Sequence, residues 1–249
     1  STKYLTEMDR IIAFDLWGRY THYKKIYATT TALTYPIPVK TALYGTVGAI
    51  IGLDKNENKY LRHFKPGQCR IGIQIMRPLA FQRININLRA VFGPMRASDN
   101  RKPTLMEFVH QPRYRIYFYH QDEKLFDDLK QCLQSQQSVY TPSLGLANLL
   151  ANFSFAGEWT PAPVTSGEVH PVHSVIPRRS LIALDKSQTF EGGNRIMEIS
   201  QYALEMDEAR NVLDRDDIIL DQNGRTIHAQ VKNLITLDTP QNPTHVILF

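Results

Sequence analysis

Residues 35–53 contain the feature that most constrains the fold, a proline-led turn followed by an amphipathic helix. Pro38 is placed to open that helix, because the first amide of a helix has no intrahelical partner and the fixed φ of proline suits the first turn. Gly52 stands where the helix should end. Apolar residues recur between them at the spacing that places side chains on one face of a helix. They are Val39, Leu43, Val47, Ile50 and Ile51. We therefore expect this helix to pack on a sheet.

A second face of the same helix carries small residues, and Lys40 and Tyr44 share a third face. The small residues are Thr41, Gly45, Gly48 and Gly52. A glycine inside a helix costs about 1 kcal/mol relative to alanine, so a close neighbour should require the small size. Tight packing of the helix on a sheet is one explanation. For Gly45, near the positive end of the helix, a backbone running close to the helix start is an equal alternative.

The remaining periodic segments predict the order strand, helix, two strands, helix, strand. Strands are predicted at residues 10–17, 70–77, 113–119 and 151–159 and the second helix at residues 122–136, and a further strand at residues 84–92 leads into the basic protrusion at residues 93–104. This order is typical of a split βαβ, ferredoxin-like domain. A proline-rich linker then leads into a β-rich part, in which Asn223 and Gly224 predict a hairpin turn. We therefore predict an α+β fold with a ferredoxin-like domain at residues 1–165 and a smaller β-rich part at residues 166–249.

Charge is unevenly distributed along the chain. Residues 186–249 hold 6 basic and 10 acidic residues, whereas residues 1–185 hold 23 basic and 14 acidic residues. Residues 55–115 alone hold 13 basic and 3 acidic residues. This distribution indicates a polyanion bound on one side of the protein and a protein neighbour on the other. A basic surface that is only solvated is the alternative.

Two segments combine cations with aromatic rings. Residues 19–27 alternate basic and aromatic side chains as single-strand RNA surfaces do, although a tyrosine-rich edge strand has the same pattern. In the strand at residues 113–119, Arg113, Arg115, Tyr117 and Tyr119 share one face. That face is either a base-stacking platform, a solvated face, or a surface in contact with the basic protrusion at residues 93–104.

Sequence motifs for nucleotide hydrolysis, dinucleotide binding, metalloprotease or serine hydrolase chemistry are absent. Cys69 and Cys132 are the only cysteines, which argues against a disulfide framework. His170 and His173 are too isolated in the sequence to predict a metal site, and we expect neither a metal nor a cofactor. No apolar run is long enough to cross a bilayer, so we expect a cytoplasmic protein that is not in a membrane.

The chain resembles the CRISPR-associated RAMP subunit that caps the 5′ end of the guide RNA in type I Cascade complexes. Its sequence is more similar to the non-cleaving relatives of subtype I-B than to the branch that cleaves precursor RNA. The resemblance covers residues 10 to about 160. It is carried by segments 14–25, 35–45, 48–53, 111–115 and 140–145. Pro36 and Pro38 before a glycine-containing first helix are its most specific element.

The resemblance implies an RRM-like domain with a β-hairpin thumb near residues 93–107 and a β-rich C-terminal part. It also implies non-catalytic binding of the crRNA 5′ handle in antiviral defence. The implied partners are crRNA, the Cascade backbone subunit, the large subunit, and target DNA near the protospacer-adjacent motif. The residues expected to contact RNA are Arg19, Tyr20, His22, Tyr23, Lys24, Lys25, Lys40, Thr41, Tyr44, Gly45, Arg96, Arg101, Lys102, Arg113, Arg115, Tyr140, Leu144 and Gly145.

Two alternatives remain open at this stage. The first is a metal-independent endoribonuclease that processes precursor crRNA, for which His22, Tyr23 and Lys24 form a candidate but unspecific cluster. The second is a scaffold between protein subunits that touches RNA only incidentally.

Overall fold

The computed structural model describes residues 8–25, 32–89, 101–165, 167–240 and 242–249, and of Arg89 and Arg101 it describes the backbone only. The first two-thirds of the chain forms β1 (Ile11–Trp17), β2 (Tyr20–Thr21), β3 (Tyr23–Lys24), β4 (Thr34–Tyr35), α1 (Lys40–Ile51), β5 (Cys69–Ile75), β6 (Ala80–Arg89), β7 (Arg101–His110), β8 (Arg113–His120), α2 (Glu123–Ser135) and β9 (Asn152–Trp159). A 3-10 helix at Asn56–His63 lies between α1 and β5.

The rest of the chain is rich in strands. It forms β10 (Ala162–Pro163), β11 (His170–Val172), β12 (Ile176–Pro177), β13 (Leu181–Leu184), α3 (Lys186–Glu191), β14 (Ile196–Met206), β15 (Val212–Asp221), β16 (Ile227–Val231), β17 (Leu234–Asp238) and β18 (Pro243–Ile247). A 3-10 helix at Arg178–Ser180 joins β12 to β13. These strands form three three-stranded sheets, in the orders β10-β17-β18, β11-β16-β13 and β12-β15-β14.

The main sheet has the order β5-β8-β1-β9, and every neighbouring pair in it is antiparallel. This places β8 between β1 and β5, the two strands that α1 connects. The predicted succession of strand, helix, two strands, helix and strand is therefore present. β1 lies between two partners, as its continuous apolar sequence predicted.

Helices α1 and α2 cover one face of this sheet. Leu43, Val47 and Ile50 of α1 are fully buried, as the helical spacing predicted, and they belong to a core that also contains Leu129 of α2 and Phe14 of β1. Gly52 ends α1 in the left-handed conformation with φ 81°. The start differs from the prediction by two residues, because Val39 caps α1 and the helix begins at Lys40, beyond Pro38.

The opposite face of the main sheet is covered by the C-terminal strands. Tyr117 and Tyr119 of β8 are buried there in a cluster with Ile235, Leu237 and Val246. The base-stacking platform and the solvated face offered for the outer face of residues 113–119 are therefore wrong for its aromatic half, whereas contact with the protrusion at residues 93–104 falls largely outside the described residues. A base cannot stack on rings that another part of the chain already covers.

The C-terminal part also enters the first core. Val175, Tyr202, Leu204 and Leu220 pack in the same cluster as the helices and the main sheet. The boundary between the two parts near residue 165 stays a prediction, but the parts share apolar contacts on both faces of one sheet.

The predicted hairpin at Asn223 and Gly224 is wrong. β15 pairs with β12 and β14, whereas β16 pairs with β11 and β13, so the turn carries the chain from one sheet to another. The Asp221 carboxylate stabilises this turn by accepting hydrogen bonds from the backbone amides of Asn223, Arg225 and Arg195. The hairpin of this region is instead formed by β14 and β15.

A second long hairpin is formed by β6 and β7, which pair from Ala80 with His110 to Arg89 with Arg101. It corresponds to the basic protrusion that the sequence predicts. Its tip, with Arg96, and the side chain of Arg101 lie outside the described residues.

Gly72 is the point where the end of the chain crosses the main sheet. A Cβ atom added at Gly72 would lie 2.9 Å from the carbonyl oxygen of Ile247. The neighbouring Ile71 exchanges two backbone hydrogen bonds of 3.1 Å with Phe249, so the strand and the chain end cannot separate freely.

We therefore expect Gly72→Ala to lower the free energy of unfolding by about 1–3 kcal/mol, because the added methyl group overpacks against a backbone atom. Urea denaturation measures this change. Gly45→Ala is the matched control, since a Cβ atom at Gly45 meets nothing within 4 Å, and we expect it to raise stability by up to about 1 kcal/mol through helix propensity. Equal effects of the two substitutions would contradict the proposed crossing.

Candidate nucleic-acid interface

An open cleft of about 680 Å³ runs along the small-residue face of α1. Five of the residues predicted to contact RNA line it: Tyr23, Thr41, Gly45, Tyr140 and Gly145. These residues come from β3, from α1 and from the loop between α2 and β9, so the fold brings together segments that are up to 122 positions apart in the sequence.

The glycines of α1 face this cleft. A Cβ atom at Gly45 would meet no atom within 4 Å, and one at Gly48 would meet Leu53 and Tyr60 at an ordinary 3.6 Å. Tight packing against a sheet does not require either glycine, and no described backbone runs close to Gly45. The small side chains instead keep the floor of the cleft open.

The loop at residues 139–150 forms one wall and is fixed at two places. The amides of Val139 and Tyr140 donate to the carbonyls of Ile50 and Ala49 at the end of α1. At the other place, the carbonyl of Leu144 accepts from the amide of His22 at 3.1 Å. Leu144 itself is fully buried, so its side chain anchors the loop in the core.

Gly145 packs closely against His22, which lies between β2 and β3. It has φ +98°, and a Cβ atom there would lie 2.0 Å from the carbonyl oxygen of His22. Only glycine tolerates both this conformation and this approach. Gly145 is therefore required for the shape of the wall, in a segment that the sequence predicted to belong to the site.

His22 and Tyr23 are buried although both were predicted to contact RNA. The side chain of His22 is 2% exposed and its Nδ1 lies 2.7 Å from the carbonyl oxygen of Glu107, so this nitrogen donates the hydrogen bond. Burial lowers the pKa of the His22 imidazole, which favours the neutral ring. Tyr23 is 5% exposed and contributes part of its ring to the cleft.

Lys40 and Tyr44 lie beneath the cleft and do not line it. The Lys40 ammonium is 2.7 Å from Oε1 of Glu205, and the Tyr44 hydroxyl donates to Oε2 of the same carboxylate at 3.0 Å. The Lys40 side chain is 2% exposed and that of Glu205 14%. This network joins α1 to β14, and it gives Lys40 a partner inside the protein where the sequence predicted an RNA phosphate.

Three of the cations predicted to contact RNA are exposed and lie outside the lining of the cleft. Arg19 precedes β2, Lys24 lies in β3 and Lys102 lies in β7, and all three are exposed. Lys25 is half-buried with its ammonium 6.0 Å from the centre of the Tyr35 ring. The Tyr20 hydroxyl donates to Gln82 of the long hairpin at 3.0 Å.

Arg113 and Arg115 lie on the outer face of the main sheet and share one carboxylate. Arg113 donates to Asp15 at 2.9 Å and Arg115 donates to it at 2.7 Å. The Asp15 side chain is 5% exposed, so these arginines compensate a buried charge. The structure does not bring them to the cleft, because they extend from the sheet face opposite α1.

Among the charged and aromatic residues that line the cleft, sequence reasoning missed three: Lys55, Tyr60 and Arg210. Lys55 and Tyr60 belong to the polar loop after α1, whose basic composition was a usable signal. Arg210 follows β14 in the acidic part of the chain, where neither charge nor spacing indicated proximity to α1. Its guanidinium donates to the Tyr60 hydroxyl at 3.3 Å.

Within the described ranges, no group of three or more His, Cys, Asp or Glu side chains is arranged to hold a metal ion. Helices long and apolar enough to span a membrane are likewise absent from the described part of the chain.

No family model matches the sequence, and no curated protein matches it. Among solved structures, a CRISPR protein from Archaeoglobus fulgidus is 9% identical, with a TM-score of 0.51 over 96% of this chain and 99% of that chain. A chain from a CRISPR RNA-guided surveillance complex is 12% identical, with a TM-score of 0.49 over 88% of this chain and 91% of that chain. At 9% identity, the likeness to the Archaeoglobus fulgidus protein is one of fold.

The buried network beneath the cleft gives a prediction for stability. Lys40→Met leaves the Glu205 carboxylate without its cation, so we expect the free energy of unfolding to fall by about 3–5 kcal/mol. Replacing both partners, as in Lys40→Met with Glu205→Gln, should restore a large part of that loss. Urea denaturation of the single and double variants measures the coupling.

Arg62→Gln is the matched control, because the ion pair of Arg62 with Glu208 at 2.9 Å is exposed and should contribute about 0–1 kcal/mol. If Lys40→Met is no more destabilising than Arg62→Gln, the network does not hold α1 to β14.

Proposed function

We propose that this protein is a non-catalytic RNA-binding subunit of a type I CRISPR Cascade surveillance complex, in which it binds the 5′ handle of crRNA. The observation that carries the proposal is the cleft along α1. It unites aromatic side chains, small residues and two cations from four separate segments. Single-stranded RNA is bound by this combination, since cations meet phosphates and rings stack on bases.

The similarity of fold to a CRISPR protein supports the same proposal, because it extends over nearly the whole length of both chains. The finer assignments follow from the sequence resemblance: a type I complex of subtype I-B style, an RRM-like domain at residues 1–165 with a thumb near residues 93–107, and a β-rich part at residues 166–249.

The exposed cations suggest a path for the RNA. Lys24 and Arg19 extend the basic surface from the cleft toward the hairpin of β6 and β7, where Lys102 is exposed. In this proposal Lys24, Arg19 and Lys102 bind phosphates, while Tyr140 contacts a base at the rim of the cleft. Lys40 and Tyr44 act by supporting α1, and Arg113 and Arg115 by neutralising Asp15.

The remaining partners are proposed from the same resemblance. The Cascade backbone subunit and the large subunit would contact faces that RNA does not occupy, with target DNA near the protospacer-adjacent motif as a further contact. Two carboxylates of the C-terminal part already form ion pairs within the chain, since Glu205 pairs with Lys40 and Glu208 pairs with Arg62. The carboxylates that stay exposed would be available to a basic neighbour.

The non-catalytic assignment is supported by the burial of His22 and Tyr23. A general base must lie within hydrogen-bond reach of the 2′-hydroxyl from which it takes a proton. The imidazole of His22 is instead hydrogen-bonded to a backbone carbonyl inside the protein.

Lys24→Ala should weaken binding of single-stranded repeat RNA and make the slope of log affinity against log salt shallower by about 0.7, the value for one lost phosphate contact on a single strand. Lys232→Ala is the matched control, because Lys232 is also exposed but lies outside the cleft. Filter binding at several salt concentrations measures both quantities. An affinity and a slope equal to those of the unsubstituted protein would remove Lys24 from the interface.

Incubating the full chain with repeat RNA in the presence of a chelator tests the absence of catalysis. We expect the RNA to stay intact on a denaturing gel, because the candidate general base, the His22 imidazole, is buried and hydrogen-bonded inside the protein. A single cut that leaves a 2′,3′-cyclic phosphate would replace the proposal with the endoribonuclease alternative. A second preparation with His22→Ala identifies whether any cut depends on that imidazole.

A further inference from the structure

We infer that the cleft along α1 accepts one unstacked nucleotide of the bound RNA, with Arg210 of the C-terminal part binding its phosphate. This inference rests on the proposed function and adds to it a defined subsite and a residue from the acidic part of the chain.

Arg210 is held in place by a structured turn between β14 and β15. The carboxylate of Asp207 accepts from the amide of Asn211 at 2.7 Å and from its side-chain nitrogen at 2.9 Å. The amide of Arg210 donates to the carbonyl of Asp207 at 3.0 Å. Arg210 has φ 66°, a conformation that is uncommon for a residue other than glycine. The turn therefore fixes the direction in which Arg210 leaves the backbone.

The same turn is attached to the 3-10 helix at Asn56–His63. Glu208 accepts from Arg62 through its carboxylate at 2.9 Å and from Asn58 through its carbonyl at 3.3 Å. The buried contact of Glu205 with Lys40 holds the preceding strand against α1. Three attachments thus place one arginine of the C-terminal part at a cleft formed otherwise by the first part.

The guanidinium of Arg210 has donors to spare. An arginine carries five N–H groups, and the hydrogen bond recorded for this guanidinium is the one to the Tyr60 hydroxyl. Among the described residues, no carboxylate forms an ion pair with it. Its planar donors match the oxygens of a phosphate, and Lys55 lines the same cleft with a second positive charge.

The other part of the cleft suits a base. Tyr140 lies at the rim with 54% of its surface exposed, while its amide is fixed to the carbonyl of Ala49 at 2.9 Å. A ring that is exposed but attached to a rigid backbone is ready to stack on a base. The floor beneath it is formed by Thr41, Gly45 and Gly48 and contains no bulky side chain.

The size of the cleft limits what can enter it. A volume of about 680 Å³ lies in the range of about 300–1,000 Å³ found for sites that take small molecules. It is therefore large enough for an unstacked nucleotide and too small for a base-paired helix. An acidic peptide would use the two cations but not the exposed tyrosine ring above a small-residue floor.

Short single-stranded RNAs of one length, each with 2-aminopurine at a different position, test the inference on the full chain. The fluorescence of a base that leaves its stack and enters an aromatic site should change at one position and little at the others. Arg210→Gln and Tyr140→Ala should each abolish this position-specific signal and weaken binding by about tenfold, the order expected for losing one phosphate contact or one stacked base.

The matched controls are Arg178→Gln and Phe190→Ala, which remove an exposed arginine and an exposed aromatic ring outside the cleft. Gly45→Leu is a third cleft variant, because it fills the floor without removing a charge and faces no atom within 4 Å at its Cβ. We expect it to abolish the signal as well. Thermal unfolding identifies any variant that fails to fold.

The outcomes separate the two proposals. If the unsubstituted protein binds RNA but all positions respond alike, or if the three cleft variants behave as the controls do, the nucleotide subsite is wrong and the RNA-binding function stands. If the unsubstituted protein does not bind RNA even at low salt, the proposed function itself is wrong.

Discussion

The structure depends on how the buried turn before α1 satisfies its backbone carbonyls. Two proline residues remove amide donors from this turn, but the carbonyl oxygens still need partners once they leave water. The Tyr114 hydroxyl donates to the carbonyl of Pro36 at 2.6 Å, and the Tyr202 hydroxyl donates to that of Pro38 at 2.7 Å. Burial raises the pKa of both phenols, so both remain protonated donors. Because Tyr114 belongs to β8 and Tyr202 to β14, one turn fixes α1 to both parts of the chain.

From this fixed point the two faces of α1 acquire different roles. Its apolar face fills the core against the main sheet, with Leu43 and Val47 fully buried. Its small-residue face stays open, since the loop at residues 139–150 and the turn at residues 207–211 stand on either side of it without covering it. The buried ion pair of Lys40 with Glu205 fixes the turn at residues 207–211 relative to α1. The glycine-containing face of this helix is thus the floor of a cleft, and its cost in helix propensity falls where open space is needed.

Sequence patterns predicted the elements well and their surroundings poorly. The elements β1, α1, α2 and β9 could be predicted because each follows from the spacing of apolar residues within one short segment of the sequence. The outer face of β8 could not be predicted, because its cover comes from β17 and β18, more than a hundred residues later. The turn at Asn223 failed for a related reason: a dipeptide favours a reversal of direction, but the sheets on either side decide whether the two strands pair.

The sequence by itself determined the succession of strands and helices, the charged and aromatic character of the segment before α1, and the importance of the glycine-containing helix. These properties are local, and each follows from the spacing or conformational preference of neighbouring residues. Only the tertiary structure decided which cations are available. It placed Lys40 against Glu205 inside the protein, and it brought Arg210 from an acidic part of the chain to the cleft. The reason is that burial and ion pairing join residues distant in sequence, so composition can identify a basic region but cannot tell which of its charges remain unpaired.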